Sequence, residues 1–246
     1  MANRVILPLL VAVLVVAGCS GLGGEQATDA ASVEVNGIDT IAITHGNTPV
    51  EVSYGDTDTL DVVLATTENG PKLALSKSDS SVDIGMEGGE FRLGIITLSQ
   101  SLGPKLSVNV PKSFQHNVQF SGSSGSIKLR DLSLDHIQFD TTSGRFDAHG
   151  LTARHISGST TSGGVSIDFA TFATDINLSS TSGNILLKLN EKQPNMSVRA
   201  TTTSGSKQVD FTMSSSSDKH TLSGTSGNGE HDVQLRATSG NITVTR

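Results

Sequence analysis

The chain has 246 residues, a formal net charge of −7, 35% hydrophobic residues and only 4% aromatic ones, with no Trp and one Tyr, Tyr54. A chain of this length can bury a substantial core, and that core must be aliphatic. The acidic balance lacks the basic footprint of a nucleic-acid binder, which excludes that partner class, and the single cysteine, Cys19, excludes an internal disulfide.

In chain order, the first element is a leader. Arg4 precedes the apolar run VILPLLVAVLVV (residues 5–16), which is too short to span a bilayer and is built like the core of a signal peptide. The run ends in Val16-Ala17-Gly18-Cys19, which resembles the lipobox of bacterial lipoproteins. That resemblance implies cleavage after residue 18 and acylation of Cys19; two or three acyl chains give stable anchoring where one does not. Loss of Arg4 with the leader takes the net charge from −7 to −8, so the lipid, not surface charge, would hold the protein at an anionic membrane. Residues 20–31, SGLGGEQATDAA, carry no hydrophobic period and read as a flexible tether with an r.m.s. reach of roughly 20 Å. The expected organisation is a lipoprotein signal peptide over 1–18, lipidated Cys19 with its tether over 19–31, and one β domain over 32–246. The expected location is the cell membrane or outer membrane, on the extracytoplasmic side.

From Val33 the pattern has period two. VEV (33–35), IAI (41–43), VEVSY (50–54), LDVVL (60–64), LAL (73–75), VDIGM (82–86), FRLGI (91–95) and LSVNV (106–110) alternate or form short apolar runs between clusters of Gly, Asp, Asn, Ser and Pro. Such spacing predicts an all-β fold, and no stretch after the leader has a helical period.

A Thr-Ser-Gly triplet then recurs. It ends at Gly144, Gly163, Gly183, Gly205, Gly227 and Gly240, and as Ser-Ser-Gly at Gly125, with spacings of 19, 19, 20, 22, 22 and 13. Periods near twenty indicate a solenoid. Apolar residues keep fixed offsets from these glycines. Seven before stand Val118, Ile137, Ile156, Ile176, Val198 and Val233, interrupted by His220; two after stand Ile127, Phe146, Val165 and Ile185. An odd offset separates inward positions on the two sides of the triplet, so the backbone must bend there for both to face one core. The expectation is a β-solenoid of about 19–22 residues per turn, with successive turns stacked about 4.8 Å apart. Each triplet glycine is expected at a corner with φ > 0, helped by a hydrogen bond from the preceding Ser. The spacing shrinks at the end, and the strand NITVTR (241–246) is expected to close the stack with a polar edge.

Chemistry is sparse. The triplet serines form no G-x-S-x-G elbow, and seven copies of a nucleophile make less sense than seven copies of a turn. The histidines show no metalloprotease or zinc-finger spacing. His136 and His155 both lie eight residues before their glycines, and Asp175 has the same offset on the next turn. Stacking would place the three in one outward column, weak candidates for a transition metal or a pH-sensitive strip, although a linear ladder suits tetrahedral zinc poorly. Asp147 and Asp168 fall at different offsets and make no carboxylate pair for glycan cleavage. No cofactor and no enzymatic activity are expected.

The lipobox, the strand end LSVNVP (106–111), and SSGSIKL (123–129), TSGRFDA (142–148), TSGGVSI (161–167), TSGNILL (181–187) and TSGNITV (238–244) together resemble the bacterial "putative adhesin" family of β-strand-repeat domains. The resemblance implies a β-solenoid outside the cytoplasm with no defined ligand or catalytic residue. The expected function is a non-catalytic, lipid-anchored binding or scaffold domain whose partner is an envelope protein or glycan. The alternatives are an envelope-homeostasis component and, more remotely, a carbohydrate-active enzyme. Open solenoid ends leave room for self-association.

Overall fold

The computed structural model describes residues 26–88 and 103–246, so the leader, Cys19, the start of the tether and FRLGI (91–95) lie outside the described residues. The N-terminal strands are β1 (Gln26–Glu34), β2 (Thr40–Gly46), β3 (Val50–Tyr54), β4 (Thr59–Thr67), β5 (Lys72–Lys77), β6 (Ser81–Glu87) and β7 (Lys105–Val110). The central ones are β8 (Asn117–Gly122), β9 (Ile127–Arg130), β10 (Ser133–Thr141), β11 (Phe146–Thr160), β12 (Val165–Phe169), β13 (Asp175–Ser180) and β14 (Ile185–Lys188). The C-terminal ones are β15 (Met196–Thr202), β16 (Lys207–Val209), β17 (Ser214–Ser217), β18 (Thr221–Ser226), β19 (His231–Ala237) and β20 (Ile242–Thr245). The described residues contain no helix.

The fold is a β-solenoid. Each coil gives one strand to a first sheet, turns a corner, and gives the next strand to a second sheet facing it. The first sheet runs β6, β2, β8, β10, β11, β13, β19, β15, all parallel. The second runs β7, β3, β9, β11, β12, β14, β20, β16, also parallel. Strand β11 serves both: it bends at Gly150 (φ +64), where its register shifts between Ala148 and Leu151. Asp131 and Asn190 take the left-handed conformation close to this corner in other coils, which short amide and carboxylate side chains tolerate.

The inward columns lie as the offsets predict. Val118, Ile137, Ile156, Ile176, Val233 and Val198 are buried on one sheet, and Ile127, Phe146, Val165, Ile185 and Ile242 on the other. Phe139 stacks on Phe146 across the core at 4.1 Å. Gly158 occupies an inward position because a Cβ there would run into the Phe139 ring.

The structure corrects four expectations. First, layer order is not chain order at either end. The coil β2–β3 lies between β6–β7 and β8–β9, and the coil β19–β20 lies between β13–β14 and β15–β16. NITVTR therefore forms an interior strand, not the closing edge. The ends are covered instead by antiparallel strands: β5 on β6, β4 and then β1 on β7, and β18 and then β17 on β15.

Second, the corner glycines are needed for contact distance, not for φ. Among the triplet glycines only Gly227 has positive φ. A Cβ on Gly144 would strike the Gly125 carbonyl, one on Gly163 the Gly144 carbonyl, one on Gly183 the Gly163 carbonyl, and so on through Gly240 and Gly205. The six glycines form a column in which each backbone rests directly on the next. Gly227 is a turn of another kind. It follows β18 and takes the chain past Asn195 at the start of β15 to reach β19, and His220 is correspondingly exposed instead of in the core.

Third, the hydroxyl that holds each corner lies three residues before the glycine. The N–H groups of Gly144, Gly163, Gly183 and Gly205 donate to Thr141 Oγ1, Thr160 Oγ1, Ser180 Oγ and Thr202 Oγ1 at 3.2, 3.0, 2.7 and 3.0 Å. All four hydroxyl residues are buried. Fourth, the tether ends early, because Gln26–Glu34 pairs with β4 along its whole length. Ala31 and Val33 are small enough to pack under that edge, so backbone pairing orders a stretch that has no hydrophobic period.

Candidate binding face

The outward side of the first sheet carries the predicted column. Parallel pairing of β10 with β11 aligns His136 with His155, and pairing of β11 with β13 aligns His155 with Asp175. The two imidazole rings meet edge to face at 6.1 Å, and His155 Nδ1 stands 3.6 Å from Asp175 Oδ2. Two further residues, both at the start of β19, complete the cluster. His231 Nδ1 is 3.7 Å from Asp175 Oδ1, and the Asp232 N–H donates to the same oxygen at 3.0 Å. Asp232 stands at the same offset as Asp175, eight residues before Gly240, so the spacing does carry it; His231 is one residue further out and has no such mark.

No group of three His, Cys, Asp or Glu side chains among the described residues converges closely enough to hold a metal ion. The column is a ladder, and each ring contacts its neighbour instead of a common centre. His136 Nε2 is 3.2 Å from Ser157 Oγ, the one pairing here that resembles a nucleophile with its base. Catalysis would also need a carboxylate on the other ring nitrogen and free N–H groups for an oxyanion. The carboxylate in the cluster sits beside His155 and His231 instead, and the backbone N–H groups of this strand are engaged in the ladder.

Two shallow depressions share this face. One, of about 390 Å³, is lined by His136, His155, Ser157, Asn177, Asp232 and Gln234. The other, of about 430 Å³, follows the corner past Asp140, Thr161, Ser179, Thr181, Arg236 and Thr238. Both present hydroxyl, amide, imidazole and carboxylate groups on a flat surface. Arg236 is held there by Gln234 Oε1 at 3.0 Å. The opposite outward face is patterned by charge: Lys105 and Arg130 both bond Glu51, at 2.6 and 2.8 Å, and hold its carboxyl below the usual carboxylate range. Leu186 is the one large apolar side chain left exposed among the described residues.

The family model described as Toastrack DUF4097 matches the chain twice, over residues 38–171 and 115–245. The chain belongs to the Toastrack DUF4097 family. Overlapping matches are what a Toastrack stack of similar coils produces, since the model can settle on it in more than one register. A putative cell adhesion protein from Clostridium sporogenes matches over 90% of this chain and 99% of its own, at 13% identity and a TM-score of 0.56, which shows a shared fold. A putative adhesin from Bacteroides fragilis matches over 88% and 96% at 11% identity, with a TM-score of 0.44. No curated protein sequence matches the chain.

Proposed function

We propose that this Toastrack protein is a non-catalytic, lipid-anchored component of the bacterial cell envelope that binds envelope glycan with the outward face of its first sheet. The observation that carries the reading is the composition of that face. Over successive coils it offers hydroxyl and amide groups in register, with two polar depressions and no catalytic set. Rows of donors and acceptors suit a polyhydroxylated polymer; an obligate protein interface would be more apolar. The fold shared with a putative cell adhesion protein supports the same reading.

Anchoring rests on the lipobox at Cys19. With β1 starting at Gln26, the chain between anchor and domain spans at most about 24 Å. The N-terminal end of the stack would then stand close to the bilayer and the β15–β18 end away from it. Metabolic labelling with a palmitate analogue tests the anchor: label on the wild type and none on Cys19→Ser is the expected result. Co-sedimentation with purified envelope polysaccharide tests the face. Wild-type protein should sediment, and Gln138→Arg/Asn177→Arg, which places two long cations among the amides, should not. Equal sedimentation of both would reject the glycan assignment while leaving the anchor untouched.

A further inference from the structure

His45 is the one fully buried histidine among the described residues. It is the penultimate residue of β2, in the coil that sits out of order between β6–β7 and β8–β9. The register of β2 on β8 shifts between Thr44 and Gly46, which leaves His45 as the extra residue of a bulge and turns its ring into the corner. Its Nδ1 lies 2.9 Å from the Thr48 carbonyl. A carbonyl only accepts, so the ring's proton resides on Nδ1.

The other nitrogen, Nε2, is buried with no hydrogen-bond partner. The next coil closes over it with Gly122 and Gly125, and a Cβ at either position would run into the ring. A neutral imidazole fits this corner. An imidazolium would place a second N–H, carrying charge, where no acceptor exists, a costly arrangement in a buried site. The charged side chains on the elements packed around the corner give it no help. Glu51 of β3 points outward to Lys105 and Arg130, and Asp83 and Glu87 of β6 are exposed. β8 and the turns 46–49 and 123–126 contain no charged residue. Burial accordingly holds the ring below its ordinary pKa, opposed by the Thr48 carbonyl.

We propose that His45 is an acid-release latch: its protonation loosens the coil β2–β3 from β8–β9 and uncouples the N-terminal end of the stack from the remainder. The released chain takes up a proton near pH 6.5 and the closed corner only at lower pH. The latch is therefore fully closed above about pH 6.5 and weakens as pH falls below it. The matching position in other coils is Gly122, Thr141, Thr160, Ser180, Ala237 or Thr202, none of which titrates in this range, so the response is confined to one end.

Hydrogen exchange on the chain from Cys19 onward, between pH 8 and pH 5 and corrected for intrinsic exchange, reads the latch directly. The opening constant of β2, β3 and β8 should rise about tenfold per pH unit below 6.5, the slope for one proton, while β10 to β13 stay level. In His45→Gln, which keeps a donor for Thr48, the local rise should vanish. Titration of the wild-type ring by NMR gives an independent reading should that variant fail to fold. A ring that protonates near pH 6.5 with β2 still protected overturns the latch, as does a His45→Gln variant with an unchanged pH response.

Discussion

The two ends of this stack use one topological device and hold it with different chemistry. At each end a coil is inserted between two others that follow one another in the chain. At the N-terminal end the inserted coil carries a buried imidazole in its corner, and Glu51 ties it to both flanking strands through Lys105 and Arg130. Antiparallel strands extend both sheets there. At the C-terminal end the corresponding corner position is Ala237, which needs no partner, and the inserted strands β19 and β20 are held by ladder pairing and aliphatic burial. Only one sheet is extended antiparallel at that end; β16, three residues long, has no second partner among the described residues. The device itself is therefore a matter of backbone pairing and core filling, and only the N-terminal end adds polar contacts to it.

The sharpest way to break the comparison is to empty the C-terminal slot. A chain ending at Glu230 lacks β19 and β20, which leaves β13–β14 and β15–β16 with bare facing edges. It should lose cooperative unfolding of its C-terminal half, seen as collapse of exchange protection from β13 to β18, while β2 to β10 keep theirs. The middle of the stack responds to a methyl group. Gly163→Ala drives a Cβ into the Gly144 carbonyl and should cost about 3 kcal/mol in denaturant unfolding, the upper range for overpacking. Gly227→Ala, at a turn with φ +62 beside the Asn195 side chain, should cost about 1–2 kcal/mol. Equal losses at the two glycines would mean that the corner column is not in backbone contact.

A smaller effect tests the hydroxyl row. Thr160→Val strands the Gly163 N–H and should cost about 1–2 kcal/mol, whereas Thr161→Val, one residue along and exposed, should be near neutral. The smallest expected change lies at the N-terminal clamp. Glu51 is held below its ordinary carboxylate range in the folded protein, so its contribution is present above about pH 4.5 and disappears as pH falls through its folded value. Both cations are more than half exposed, so Glu51→Gln should lower stability at pH 7 by no more than about 1 kcal/mol. The two proteins should converge once pH has fallen below the folded value of Glu51.

The sequence was informative where physics repeats. Fixed apolar offsets around the triplets located the core and predicted the alignment of His136, His155 and Asp175, because stacking in register copies an offset into a column. It was silent where the chain departs from its own order. Nothing local distinguishes β20 as an interior strand, since TSGNITV reads like any other coil and pairing partners are chosen by the whole stack. The glycine requirement was legible, but its cause was not: a left-handed φ and a close carbonyl both demand Gly, and only the stacked neighbour separates them. His45 was invisible as a buried group because its coil has no triplet and carries a bulge, so it could not be aligned with Thr141 or Thr160.

The slot filled by β19 and β20 also has a consequence in time. The strands on either side of it are complete once Val209 has been made, yet the gap between them closes only when His231–Thr245 arrives. A chain made N-terminus first therefore carries two unpaired ladders while the hairpin β17–β18 is laid down. Any product interrupted in that interval leaves those edges bare, and β19 and β20 close them when they arrive. The out-of-order coil thus makes closure of this half of the stack wait for β19 and β20, however early its flanking strands are made.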